Sequence, residues 1–321
     1  VLLPEEPRTT NHKQFFMLDK LLALKPMRGI RAWLYNNHPF RSPITWYVFL
    51  KKLGNKIIEN DTSERAASVS YSLILAVFPT VIFLFTLIPY IPIPHLDDRI
   101  MGFVQELLPG DTFSTVGTTI QDIVSRPRGN VLSFGFLLAL YSATSGLVAL
   151  MNAFNSSHGD DSRGFFRMRL VAVGLTFALA FALVLAILTL IVGGIVSDYL
   201  LRFNVFNNDL IVYLLSMGRY LVVFAVFVAT VSVIYRFGPD KYLRWSFITP
   251  GSVAASVLIV LTTLGFSYYV SNFGSYNKVY GSIGTLIALM IWINLIALLL
   301  ILGFEMNAIL YGEKGERKNG G

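Results

Sequence analysis

Residues 280–308 read YGSIGTLIALMIWINLIALLLILGFEMNA. Between Leu286 and Leu302 the run carries one strongly polar side chain, Asn294, and it then reaches Glu305 and Asn307. An α-helix needs about 20 mainly apolar residues to cross roughly 30 Å of hydrocarbon, and this stretch supplies them. Five other runs do the same, at 66–88, 131–152, 170–196, 211–235 and 247–271; with 282–306 they make six. Backbone groups in lipid must pair within their own segment or in a closed barrel. Barrel strands would appear as alternating segments of about ten residues. These runs are long and continuous, so the expected fold is all-α, a bundle of six transmembrane helices.

The rest of the composition agrees. The chain has 321 residues, 54% hydrophobic and 14% charged, against about a quarter charged in soluble domains. It has no cysteine, which removes disulfides, thiolate-bound metals and thiol nucleophiles. The opening VLLPEEPRTTNHK lacks the basic start and apolar core of a signal peptide.

The formal net charge is +7, and its distribution carries the information. Twenty of the 26 Lys and Arg lie before Ala66, in 153–169, in 236–246 or after 306. Five lie in the alternate loops, and Arg219 is left inside a span. Six spans put both termini on one side, and the positive-inside rule makes that side cytoplasmic. The positive charge therefore reads as a topology signal and a contact with membrane phospholipids. No nucleic-acid motif accompanies it, and no nucleic-acid partner is expected.

Residues 1–60 form a cytoplasmic or interfacial arm, 61–312 the membrane domain and 313–321 a tail. In the arm, Trp46, Phe49, Leu50, Leu53, Ile57 and Ile58 recur at helical spacing with Lys51, Lys52 and Lys56 between them. That is the pattern of a helix in the membrane interface; a helix capping the bundle end has the same pattern. Residues 96–125 predict a pair of short external helices broken at Pro109-Gly110, a lid over the outer side. Each half is too short to span.

The chain shows no nucleophile, metal-ligand or nucleotide-binding pattern. His12, His38, His95 and His158 all lie outside the spans, and no carboxylate cluster has ligand spacing. No catalytic residue, cofactor or metal is expected. The polar groups inside the spans are the candidates. Arg219 lies about 12 Å into the fourth span at ~1.5 Å per residue, where a cation either snorkels or faces a cavity or partner. Asn294 in the sixth span, and Ser145 and Asn152 in the second, are candidate lipid or substrate contacts. Pro79 bends the first span, as a tolerated kink or as a hinge. Glu305 ends the sixth helix, where the helix dipole opposes an anion. A cation must offset it; Arg65 is the first choice, with Arg169 and Arg244 at similar depth. The pair would be a structural clamp or a gate.

SERAASVSYSLILAVFPTVIFLF, YSATSGLVALMNAFN and the quoted run together resemble the YihY/virulence factor BrkB family. Tyr280, Gly281, Gly284, Trp292, Gly303, Glu305, Asn307 and Ala308 occupy the positions of that family's closing motif. Phe304 replaces a usual alanine, and Asn294 stands where an aromatic residue is common. The resemblance covers about 50–312. It implies a six-span protein of the bacterial cytoplasmic membrane, and lipid or envelope-precursor transport. The family's old label as ribonuclease BN finds no nuclease constellation here. Transport of a lipid or amphipathic molecule is thus the first expectation. A structural or assembly subunit of a larger membrane complex, with a protein partner, is the second, and a membrane enzyme the third.

Overall fold

The computed structural model describes residues 28–39, 42–59, 62–90, 96–107, 110–125, 127, 129–156, 164–202, 209–240, 243, 245–272 and 274–316. Its helices are α1 (Arg28–Asn36), α2 (Trp46–Glu59), α3 (Thr62–Leu87), α4 (Leu96–Leu107), α5 (Gly110–Ser125), α6 (Gly129–Asn155), α7 (Phe165–Arg202), α8 (Asp209–Phe237), α9 (Pro250–Asn272) and α10 (Gly274–Glu316). A 3-10 turn, Ile88–Tyr90, follows α3. The described residues contain no strand.

Among the described residues six helices are long and apolar enough to cross a bilayer: Thr62–Tyr90, Gly129–Asn155, Phe165–Ile195, Met217–Phe237, Pro250–Val270 and Leu286–Tyr311. They coincide with the six runs read from the sequence to within a few residues. The fifth starts at Pro250, slightly later than expected, because Thr249 caps it. Thr249 Oγ1 accepts from the Ser252 N–H and Ser252 Oγ from the Thr249 N–H, both at 3.1 Å. Pro250 then fills the first helical position, where its missing N–H costs nothing.

Each span packs on the next, and the sixth packs back on the first, so the bundle is a closed ring. The sixth also reaches the second across the ring. The successive spans alternate in direction. Arg65, Asn155, Phe237, Pro250 and Tyr311 therefore share one end, here called the basic end after the loops that meet there.

Burial divides this ring into two halves. Within spans three to six, the buried residues run from Ala172 to Leu175, from Val228 to Tyr235, from Gly251 to Ile259 and from Ala297 to Leu310. All lie at mid-span or toward the basic end. In the opposite halves of these four spans the described residues are mostly exposed or half-buried, with Gly284 of α10 the buried exception. A ring packed along its whole length would bury an inward stripe in both halves. Burial in these spans is thus concentrated toward the basic end, while the far end keeps narrower contacts, Arg219 against Gly193 and Trp292 bonded to Thr263 at 3.3 Å. Aromatic rings fill the basic end: Phe154 stacks on Phe304 at 4.2 Å, and Tyr235 and Trp245 flank Phe304 at 5.8 and 5.4 Å.

The short helices sit at the two ends. α4 and α5 pack on each other, and α5 touches α3 and the turn after it. Val104, Val124 and Ile88 are buried in that contact region. Of the break expected at Pro109-Gly110, Gly110 starts α5, and Pro109 lies outside the described residues. At the basic end, Phe49 of α2 and Ile44 just before it pack against Ile309 and Leu310 of α10. α2 therefore caps the bundle, while its Leu50 and Ile57 remain 40% and 39% exposed. α3 continues without a break through Pro79.

Candidate functional site

Glu305 is 1% exposed, and its Oε2 lies 2.6 Å from the Lys56 ammonium. Lys56 comes from the last turn of α2, so the pair ties the capping helix to the sixth span. Arg65, favoured from the sequence, donates from Nη1 to the Ala153 carbonyl at 3.4 Å. Arg169 lies on the second span: its Nη1 donates to Thr144 Oγ1 at 2.9 Å and Ser145 Oγ at 3.1 Å. Its guanidinium also covers the Tyr141 ring at 4.4 Å. Arg244 lies outside the described residues.

One turn from Glu305, the fifth and sixth spans touch through their backbones. A Cβ on Gly303 would come within 2.6 Å of the Ala255 Cβ and 2.5 Å of the Tyr235 hydroxyl. A Cβ on Gly251 would meet the Gly303 carbonyl oxygen and, at 2.6 Å, the Asn307 amide. Only glycine permits this approach. Asn307 uses it fully: its Oδ1 accepts from the Gly251 N–H at 2.8 Å and its Nδ2 donates to Thr249 Oγ1 at 2.8 Å. Ser232 of the fourth span adds a bond to Ser252 Oγ at 2.9 Å. Tyr235 donates to the Leu300 carbonyl at 2.7 Å. These groups are buried and hydrogen-bonded, which is what a polar group away from water requires. Chemically the arrangement is a lock between helices.

The four candidate contact residues fall into separate helix pairs. Asn294 Nδ2 donates to Ser70 Oγ of the first span at 3.3 Å. Ser145 donates to the Tyr141 carbonyl at 2.8 Å and accepts from Arg169. Asn152 is exposed, and its carbonyl accepts from Ser156. Arg219 lies against the third span. A Cβ on Gly193 would meet Arg219 Cδ at 2.7 Å, and one on Gly194 would meet Nη1 at 3.4 Å. Arg219 Nη2 donates weakly to the Tyr220 hydroxyl at 3.4 Å, and its Nε is buried with no acceptor.

The same two spans enclose an apolar cleft of about 250 Å³, lined from α7 by Leu175, Ala182 and Leu185 and from α8 by Val226, Ala229 and Thr230, among others. The Thr230 hydroxyl donates to the Val226 carbonyl at 2.7 Å. Phe181 and Leu185, on its rim, are 69% and 41% exposed, so the cleft opens to the lipid side. Sequence reading missed this cleft, since its residues are ordinary for a membrane helix. It also missed Lys56 as the partner of Glu305, although the basic stripe of α2 was visible. Among the described residues no group of three or more His, Asp or Glu could hold a metal ion.

A family model described as virulence factor BrkB matches residues 54–321. The ribonuclease-like protein YfkH of Bacillus subtilis is 32% identical over 271 residues, covering 83% of this chain and 96% of the relative. A UPF0761 membrane protein of Pseudoalteromonas atlantica is 23% identical, covering 82% of this chain and 86% of the relative. Another, of Aggregatibacter aphrophilus, is 23% identical, covering 85% and 96%. No solved structure matches the chain significantly.

Proposed function

This chain belongs to the virulence factor BrkB family, and we propose that it carries a lipid or amphipathic envelope molecule across the bacterial cytoplasmic membrane. The observation that carries this reading is the asymmetry of the ring. Aromatic side chains and hydrogen-bonded polar groups seal the basic end. In the far halves of spans three to six the described residues are mostly exposed or half-buried. A carrier that opens at one side has this asymmetry, and movement of the less buried end would complete a cycle. The positive-inside rule makes the basic end, with both termini, cytoplasmic. The site would then face outward, with α4 and α5 beside it as a lid. Tested in vesicles, the full chain should speed the exchange of a fluorescent short-chain phospholipid between leaflets. A rate equal to that of vesicles with an unrelated six-span protein would contradict the proposal.

One observation favours a second reading, a structural subunit of a larger membrane complex. Thr144, Ser145, Asn294 and Asn307 of the second and sixth spans are engaged in bonds between helices, as in a scaffold. Mild solubilisation from the native membrane followed by native mass measurement separates the readings. A stoichiometric partner together with no lipid exchange would favour the scaffold.

A further inference from the structure

The geometry points to a site for one anionic phospholipid on the third and fourth spans, its phosphate on Arg219 and an acyl chain in the cleft below. The inference rests on the reading above only in taking the far end as the outer side.

Arg219 provides the charge. Its only described polar contact is the 3.4 Å bond to the Tyr220 hydroxyl, with the Tyr220 ring 5.0 Å from the guanidinium carbon. Its Nε is buried and has no acceptor, and no described carboxylate pairs with it. A cation inside a span is retained where something compensates it. A phosphate diester matches the guanidinium fork, because two parallel N–H donors can meet two oxygens. Gly193 and Gly194 leave the room in which that head lies against α7.

The cleft provides the second half of the argument. Seven residues separate Arg219 from Val226 at its near edge, which is about 10 Å along the helix. A head at Arg219 therefore places its chains over the cleft. The lining is apolar apart from Thr230, whose hydroxyl is already bonded to the Val226 carbonyl. A soluble anion would leave the cleft without a role, and a neutral lipid would leave the guanidinium without an anion. An anionic phospholipid uses both.

The full chain is relipidated with equal amounts of phosphatidylglycerol and phosphatidylcholine of the same acyl composition, and bound lipid is read by native mass spectrometry. Wild type should retain phosphatidylglycerol over phosphatidylcholine by about tenfold, the scale of one charge-assisted bond. Arg219→Ala should remove that preference, and Arg219→Lys should keep part of it, since lysine cannot form the fork. Ala182→Phe, which fills the cleft, should lower occupancy by both lipids and leave the preference in what remains. Thermal unfolding of each variant confirms that it is folded. An undiminished preference in folded Arg219→Ala overturns the site. So does unchanged occupancy in Ala182→Phe, or displacement by glycerol 3-phosphate as effective as by phosphatidylglycerol. The preference with no lipid exchange in vesicles would sink transport and support the site. Exchange with no preference would do the reverse.

Discussion

Between the fifth and sixth spans, Gly251 and Gly303 make room for Asn307, whose amide is bonded on both sides. Between the third and fourth, Gly193 makes room for Arg219, whose Nε has no acceptor. The device is the same: small residues let a polar side chain enter a helix contact. The outcome differs. Where every polar atom finds a partner within the chain, the contact is buried and serves as a lock. Where a charged group is left short, in a contact whose flanks stay exposed to lipid, the chain retains the capacity to bind something else.

The largest way to break this contrast is to fill the lock. Gly251→Leu should drive the fifth and sixth spans apart and remove both Asn307 bonds, costing about 4 kcal/mol or more. Most of the protein should then fail to fold, as read by size-exclusion recovery in detergent. Normal recovery would mean the two backbones do not meet.

Lys56→Ala leaves Glu305 buried without its ammonium and should cost about 3 kcal/mol in thermal unfolding. Lys56→Met with Glu305→Met should recover part of that loss, because no charge is then left alone. Additive losses would show that the pair is not coupled.

Asn307→Ala should cost about 2 kcal/mol, since the Gly251 N–H and the Thr249 hydroxyl lose their partner. A far-end substitution sharpens the contrast from the other side. Arg219→Ala should change stability by less than about 0.5 kcal/mol in lipid-free detergent. A large loss there would place Arg219 among the lock residues.

How much of this was legible depends on what one dimension of sequence encodes. Length and apolarity set the spans, so all six could be placed, and the helical stripe with Pro109-Gly110 placed α4 and α5. Depth was legible too: Glu305 had to lie at the basic end, where several cations were available. Azimuth was not. Lys56 and Arg65 reach the same depth, and only the docking of α2 on α10 brings the Lys56 ammonium to 2.6 Å. The Glu305 and Asn307 positions stood out through the family motif, but their work, helix locking, required the facing Thr249 and Gly251. Arg219 stood out by its charge, whereas its neighbours are two glycines whose role lies in what they lack.

The ring is expected to be held at the basic end and to move more freely at the far end. The chain has no cysteine, so spin labels can be placed at will. One pair would join Phe166 to Val253 at the basic end, and another Val192 to Val270 at the far end; all four positions are exposed. The basic pair should give a narrow distance distribution, unchanged by added lipid. The far pair should give a broad or two-peaked distribution that shifts when phosphatidylglycerol is added. A far pair as narrow and lipid-insensitive as the basic pair, or a basic pair that moves instead, would overturn this asymmetry.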